Sequence, residues 1–145
     1  MSPRRAVRRA VAAVACLALL LAGCAHGPAT HAPVAPATLR AVPGTTLHEV
    51  TLTPQALADV GLRTTAVQRA GALTAIPLSA LIYDPEGRAW TYVPIGPRTF
   101  VRRPVTIATI RDGMVLLRSG PTRGTPVVTV GAPELLGAEY GVGEE

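Results

Sequence analysis

The sequence predicts an all-β fold, a small β-barrel or β-sandwich of short antiparallel strands with one short helix. Runs rich in Val, Ile, Thr, Tyr and Phe recur at short intervals after residue 45. Two compact turn sequences, at residues 84–87 and 112–113, join neighbouring runs. A chain of 145 residues suffices for one domain with a modest core, which has to be mainly aliphatic because aromatic residues make up only 3% of the sequence.

An export signal is predicted at residues 1–23, ahead of the β-rich body. Four arginines precede the apolar run 10–22, which is too short to span a bilayer but typical of a secretory signal peptide. The run ends in Leu21-Ala22-Gly23-Cys24, which resembles the bacterial lipobox, where the cysteine thiol receives a diacylglycerol and becomes the new N-terminus. We therefore expect lipidation at Cys24 and an extracytoplasmic protein anchored to a bacterial membrane, in the periplasm or on the outer face of the cytoplasmic membrane.

Residues 24–44 are rich in Ala, Pro and Thr, and this composition predicts a disordered, extended linker reaching at most about 60 Å. His26 and His31 lie in it, and His48 is the only other histidine. Imidazoles bind copper, zinc and nickel, but no carboxylate stands near His26 and His31, and the neighbouring Cys24 is expected to be acylated, so nothing completes a site. The sequence therefore predicts neither a metal site nor a cofactor in the linker or body.

The positive charge of the chain comes largely from the export signal. All 14 basic residues are arginines, and four of them lie before the apolar run, which leaves ten arginines against nine acidic residues. A nearly neutral mature chain excludes a nucleic-acid partner on electrostatic grounds. Cys16 lies in the segment that is removed, so no free thiol remains for a disulfide, a metal site or nucleophilic catalysis once Cys24 is acylated.

The body begins at residue 45 and is predicted to have two parts, 45–70 and 71–145. The first part has strands at 47–53 and 62–67 on either side of a short helix at 54–60. Thr53 is the expected N-cap of this helix, Pro54 stands at its first position, and Gly61 is the expected C-cap.

The second part, residues 71–145, is predicted to be a series of hairpins. A first hairpin spans 76–93 around the turn at 84–87, and a second joins the run 99–110 to the strand 114–118 through Asp112 and Gly113. Pro104 lacks an amide donor, so the run 99–110 is expected at an edge or a bulge. A short strand follows at 127–130, before the closing segment 134–142.

Around the first hairpin, the aromatic residues are candidates for the core and the arginines are candidates for the surface. Trp90 and Tyr92 share one face of a strand and are expected in the core. Four arginines lie nearby in the sequence: Arg88, Arg98, Arg102 and Arg103. One interpretation is a basic face for an acidic partner or lipid headgroups, with Arg102 and Arg103 as the candidate partner-binding residues. The other is a set of charges that protects an edge strand from aggregation.

The acidic residues of the body do not form a catalytic constellation in the sequence. Asp84 and Asp112 fall in predicted turns, where carboxylates accept hydrogen bonds from local amides. Glu134 and Glu139 are five residues apart in a glycine-punctuated ending, which does not indicate a paired acid and base. The chain is therefore predicted not to be an enzyme.

The order of these pieces resembles periplasmic adaptor subunits, the membrane fusion proteins of the haemolysin D family, which serve RND-type efflux and secretion systems. The segments that resemble the family are the proline-led run 76–81, the strands 90–93 and 100–105, the segment 120–130 and the ending 131–142. Residues 45–70 are similar to the start of the family's β-barrel, and 71–145 to its membrane-proximal domain. In the family a lipoyl-like domain and a long helical hairpin separate these elements, whereas here only residues 68–75 do, so the parts that meet an outer-membrane channel are missing.

Two hypotheses of function follow. The resemblance implies a non-catalytic, membrane-anchored lipoprotein that is accessory to a membrane transporter involved in efflux, with a second copy of the chain as a further candidate partner. The alternative is a stand-alone extracytoplasmic lipoprotein that binds a small ligand or metal in the mouth of the barrel, with the participation of His48.

Overall fold

The structure is a computed structural model that describes residues 35–141. The predicted signal peptide, Cys24, His26 and His31 lie outside the described residues. Within the described range the strands are β1 (Ala37–Ala41), β2 (His48–Leu52), β3 (Arg63–Ala66), β4 (Gln68–Ala70), β5 (Leu73–Pro77), β6 (Ile82–Tyr83), β7 (Ala89–Pro94), β8 (Thr99–Pro104), β9 (Thr106–Arg111), β10 (Met114–Ser119) and β11 (Pro126–Val130). The helices are α1 (Pro54–Val60) and α2 (Ala132–Glu139), with one 3-10 turn at Leu78–Ala80.

The strands form three sheets, and every strand pairing is antiparallel. A five-stranded sheet has the order β1-β2-β8-β7-β6, a four-stranded sheet has the order β4-β5-β10-β9, and β11 pairs with β3. The predicted all-β fold class is therefore confirmed.

Both predicted turns form, for the reasons that the sequence suggests. In the first, the Gly87 amide donates to the Asp84 carbonyl over 2.9 Å, and Gly87 has φ +76°. In the second, Asp112 and Gly113 have φ angles of 52° and 73°, the left-handed conformation that a two-residue hairpin turn of this hand requires. Arg111 and Met114 pair directly on either side of it.

Helix α1 begins and ends where the sequence predicts. The Thr53 hydroxyl accepts a hydrogen bond from the Ala56 amide over 3.1 Å, and Pro54 occupies the first turn. Gly61 ends the helix in the left-handed conformation, and its amide donates to the Leu57 carbonyl.

The buried apolar side chains divide into two cores. The first, which we call the helix-covered core, lies between the five-stranded sheet and the two helices and contains Val50, Leu52, Ile82, Trp90, Tyr92, Phe100, Val128, Ala132 and Leu135. The second, the aliphatic core, lies on the four-stranded sheet and contains Val67, Ile76, Ala80, Val105, Val115, Leu117 and Val127.

Two strands supply side chains to both cores, because successive residues of a strand point to opposite faces. Strand β11 gives Val127 to the aliphatic core and Val128 to the helix-covered core. Strand β7 gives Trp90 and Tyr92 to the helix-covered core, while Val93 packs against the aliphatic core. The predicted burial of the two aromatic side chains is confirmed.

Three predictions about the elements are corrected. The linker was expected to extend to residue 44, but Ala37–Ala41 is a strand that pairs with all five residues of β2. The run 99–110 is not one edge strand, because the chain passes from the five-stranded to the four-stranded sheet after Pro104, and β8 lies between β2 and β7. Strand β2 pairs only with Thr99 and Phe100, so the missing amide of Pro104 leaves no gap in that ladder.

The third correction concerns the ending, where a second helix, α2, forms. Gly131 precedes it with φ +89°, which side chains rarely adopt, and a Cβ there would collide with the side chains of Val60 and Leu62, so this position favours glycine. Pro133 stands in the first turn and Glu134 is the acidic residue there, both favourable at a helix start. Gly137 within the helix obscures its pattern in the sequence.

Candidate functional site

Arg102 is buried, contrary to the prediction of an exposed edge charge. Only 4% of the residue is accessible to solvent. It stands directly opposite Tyr92 on the neighbouring strand β7, and therefore on the face that carries the helix-covered core. The position of β8 inside the sheet, rather than at its edge, places the guanidinium under helix α2.

Glu139, at the end of α2, is the main partner of Arg102. The Arg102 Nε–H donates to Glu139 Oε1 over 3.1 Å, and the Tyr92 hydroxyl donates to Oε2 over 2.5 Å. The His48 amide also donates to Oε1, over 3.3 Å, and the His48 Nδ1 lies 3.9 Å from the same oxygen. One carboxylate therefore joins α2 to three strands of the five-stranded sheet.

Asp84 is a second buried carboxylate, at the start of the first turn. As predicted, it accepts from a local amide, the Arg88 N–H, over 2.8 Å at Oδ1. Its Oδ2 accepts from the Trp90 indole N–H over 2.9 Å and from the Arg88 Nε–H over 2.6 Å. Arg102 Nη1 lies 3.8 Å from Oδ2, which brings the two acidic centres to the two ends of one guanidinium.

Two aromatic rings lie beside the Arg102 guanidinium. Its Cζ is 4.7 Å from the Trp90 ring centroid and 5.3 Å from that of Tyr140, the residue that ends α2. Both distances are within the range of cation–π attraction. The guanidinium of Arg102 therefore lies between two carboxylates, of Asp84 and Glu139, and two aromatic rings, of Trp90 and Tyr140.

These contacts shift the pKa values of four groups, of which Arg88 is raised chiefly by its hydrogen bond to Asp84. Burial acts to raise the pKa of the Asp84 carboxyl, but the donors of Arg88 and Trp90 outweigh it and lower the pKa from 3.8 to about 2. Burial, and then the hydrogen bond to Glu139, raise the pKa of the Tyr92 hydroxyl well above its usual value. Burial disfavours the charged form of Arg102, yet the charge of Glu139 outweighs it and raises the pKa of the guanidinium.

A cleft of about 450 Å³ opens above this network. Its walls come from the start of β2 and the loop before it, the first turn and the residue after it, β8 and the end of α2. They are Thr46, His48, Glu86, Arg88, Arg102, Glu139 and Tyr140. The side chains of His48 and Arg88 are 40% and 58% exposed, whereas those of Arg102 and Glu139 form the floor.

The four arginines do not form one basic face. Arg88 is paired with Asp84 and Glu86, Arg98 donates to the Leu52 carbonyl over 2.9 Å, and Arg102 is buried. Arg88 and Arg103 are both exposed, but of the two only Arg103 makes no ion pair or side-chain hydrogen bond within residues 35–141. It lies on the face of β8 opposite to Arg102.

Arg103 lies at a second cleft, of about 510 Å³, which is mostly apolar. Val93, Pro104, Gly120 and Pro121 contribute to its walls. In the loop that lines it, the Thr122 and Thr125 hydroxyls form a hydrogen bond with each other over 3.2 Å. A rim charge beside an apolar wall is a common arrangement at protein interfaces.

The described range contains no group of three His, Cys, Asp or Glu side chains placed to hold a metal ion. Among residues 35–141, no helix has the length and apolar character that crossing a bilayer demands.

The ion pair between Glu139 and Arg102 is not predicted from the sequence. One signal could have predicted the burial of Arg102. Trp90 and Tyr92 lie on the buried face of β7, and Arg102 pairs with Tyr92 across the hairpin, so its side chain lies on the same face.

The chain was also compared with known proteins. Protein-family models, curated proteins and solved structures yield no match to it.

Proposed function

We propose that the chain is a non-catalytic, extracytoplasmic lipoprotein, anchored through Cys24, that is accessory to a membrane transporter of the RND type or a similar one. Its resemblance to adaptor subunits rests on the order of its elements. The succession β2, α1 and β3 is similar to the family's barrel start, and the strands from β5 onward resemble its membrane-proximal domain.

The observation that carries this proposal is the join between the two parts. Residues 68–75 form β4 and the first half of β5, a tight hairpin in which Gly71 has φ +65°. The register pairs Gln68 with Ala75 and Ala70 with Leu73. The chain thus continues from the barrel-like element into the membrane-proximal-like strands without an inserted domain, which supports a short form limited to contacts near the membrane.

Arg103 is the residue that we assign to partner contact. It is exposed beside an apolar cleft, whereas Arg102, the other candidate from the sequence, is buried. A rim charge of this kind mainly speeds encounter with an acidic partner and is screened by salt.

The test is crosslinking of the intact lipoprotein to membrane proteins in its own cells. Arg103→Ser should lower the yield of a transporter adduct, most clearly in low-salt membranes, whereas the matched exposed variant Arg111→Ser should leave it unchanged. Equal yields from the native protein and from Arg103→Ser would remove Arg103 from the interface. No adduct with any transporter would contradict the accessory function itself.

The anchor has its own test. Cys24→Ala removes the thiol that would be acylated, so the variant should not incorporate a labelled fatty acid and should remain an uncleaved precursor or be released. Label retained by Cys24→Ala would contradict lipidation at this position.

Binding of a small ligand is the second candidate function, and one observation favours it. His48, the residue named for this alternative, lines the cleft above Arg102.

A further inference from the structure

Hydrogen bonding in the cleft above Arg102 is unbalanced. The buried carboxylates are engaged, because Glu139 accepts from three donors and so does Asp84. Arg102 Nη1, by contrast, is buried and has no hydrogen-bond partner within residues 35–141, although it lies 3.8 Å from Asp84 Oδ2. A buried donor without a partner costs roughly 1–3 kcal/mol, and an arginine offers five N–H groups. The buried guanidinium therefore has a spare donor, whereas the two buried carboxylates each accept three hydrogen bonds already.

We propose that this cleft binds a small oxyanion, such as a carboxylate or phosphate group, on the guanidinium groups of Arg88 and Arg102. The proposal is independent of the transporter function. An oxyanion supplies the acceptors that the site lacks, and charge-assisted bonds from arginine are the strongest donors for it. His48 and Thr46 stand at the same wall and add an imidazole and a hydroxyl.

Glu86 is the group that such a ligand replaces. Its carboxylate lies 3.0 Å from Arg88 Nη2, but both side chains are more than half exposed, and an exposed ion pair of this kind contributes little free energy. The oxyanion takes its place at Arg88, while the bond from Arg88 Nε to the buried Asp84 remains. The ligand then sits between the outer arginine and the inner one.

Tyr140 controls access to the inner arginine. Its ring lies 5.3 Å from the Arg102 Cζ, and 43% of the residue is exposed at the end of α2. Because Nη1 is screened from water, a ligand oxygen that reaches it displaces the Tyr140 ring.

The charge of the cleft selects among oxyanions. Three carboxylates (Asp84, Glu86 and Glu139) face two guanidinium groups and a histidine. With a neutral imidazole the group carries one formal negative charge. A singly charged carboxylate is therefore favoured over doubly charged phosphate.

The sole tryptophan of the chain provides the readout, since Trp90 lies under Arg102. Trp90 fluorescence of the full chain in detergent is titrated with sodium acetate and, separately, with inorganic phosphate, each against sodium chloride at equal ionic strength. We expect a saturable change with acetate and a weaker one with phosphate. Arg88→Gln should weaken acetate binding about tenfold, because a charge-assisted hydrogen bond is lost.

Two further variants sharpen the test. Glu86→Gln removes the competing carboxylate and should tighten acetate binding, whereas Arg111→Gln, an exposed arginine on β9, should leave it unchanged. Circular dichroism checks that each variant is folded. A response that does not saturate, that sodium chloride reproduces, or that Arg88→Gln and Glu86→Gln leave unaltered would overturn the proposal. Phosphate binding tighter than acetate would overturn the selection by charge.

Discussion

The two cores of this protein differ in what they bury. The helix-covered core borders a network of charged groups, in which Asp84, Arg102 and Glu139 are all less than a tenth exposed. The aliphatic core consists of alanine, valine, isoleucine and leucine side chains alone. The same chain, and in β7 and β11 the same strands, thus supports a core that borders buried charges on one face and an aliphatic core on the other.

The difference indicates what each core specifies. Burying an ion pair costs desolvation free energy that the attraction between the charges only partly offsets. The network therefore adds little stability, but it requires its partners to lie in one defined arrangement. Glu139 fits only where α2 brings it to Arg102, Tyr92 and His48 together. The aliphatic core is held by packed volume, which tolerates exchange among similar side chains.

The largest effect is expected at Glu139. Glu139→Gln leaves the Arg102 charge buried without its main counter-charge, and breaking one partner of a buried pair costs about 3–5 kcal/mol. Urea unfolding measures this free energy. Glu134→Gln, on the exposed side of the same helix, is the matched control and should change stability by less than about 0.5 kcal/mol. Equal, small changes in both variants would mean that the network does not hold α2 in place.

A smaller loss is expected in the aliphatic core. Leu117 is 1% exposed, and Leu117→Ala should cost about 3 kcal/mol through lost transfer energy and the cavity that remains. The control is Ile110→Ala on the neighbouring strand, where 45% of the residue is exposed and the loss should be well below that. Urea unfolding of both variants makes the comparison, and Leu117→Met should recover most of the loss because volume is kept. Failure of Leu117→Met to recover it would mean that this core depends on shape as strictly as the other does.

Local signals predicted the turns and the first helix well. Gly87, Gly113 and Gly61 adopt the positive φ angles that their positions in turn and cap sequences require. The alternation of Trp90 and Tyr92 also predicted their burial, because a strand period of two is visible in any short window.

Contacts between distant segments could not be predicted in this way. Arg102 looks like an edge charge because nothing in the sequence states that β2 pairs with β8, some 50 residues away. Its partner Glu139 follows 37 residues later, on a helix whose pattern Gly137 interrupts. The candidate site is therefore a product of tertiary structure, and only its separate residues were visible in the sequence.

The smallest expected effect is the pH dependence that Asp84 gives to the helix-covered core. Its pKa in the folded protein is about 2, below the ordinary value of 3.8, so its stabilisation is present above pH 3.8 and is lost as the pH falls through 2. The effect is modest because Arg88, one of its donors, is largely exposed to water.

The difference in urea midpoint between the native protein and Asp84→Asn should therefore stay nearly constant from pH 5 to about pH 4 and shrink between there and pH 2. Arg88→Gln keeps the backbone donor at residue 88 and the Trp90 indole, but lacks the guanidinium. Its midpoint should depend on pH less than that of the native protein and more than that of Asp84→Asn. A difference that stays constant down to pH 2 would mean that the donors around Asp84 do not favour its charged form. The contrast between the two cores would then rest on the Arg102 and Glu139 pair alone.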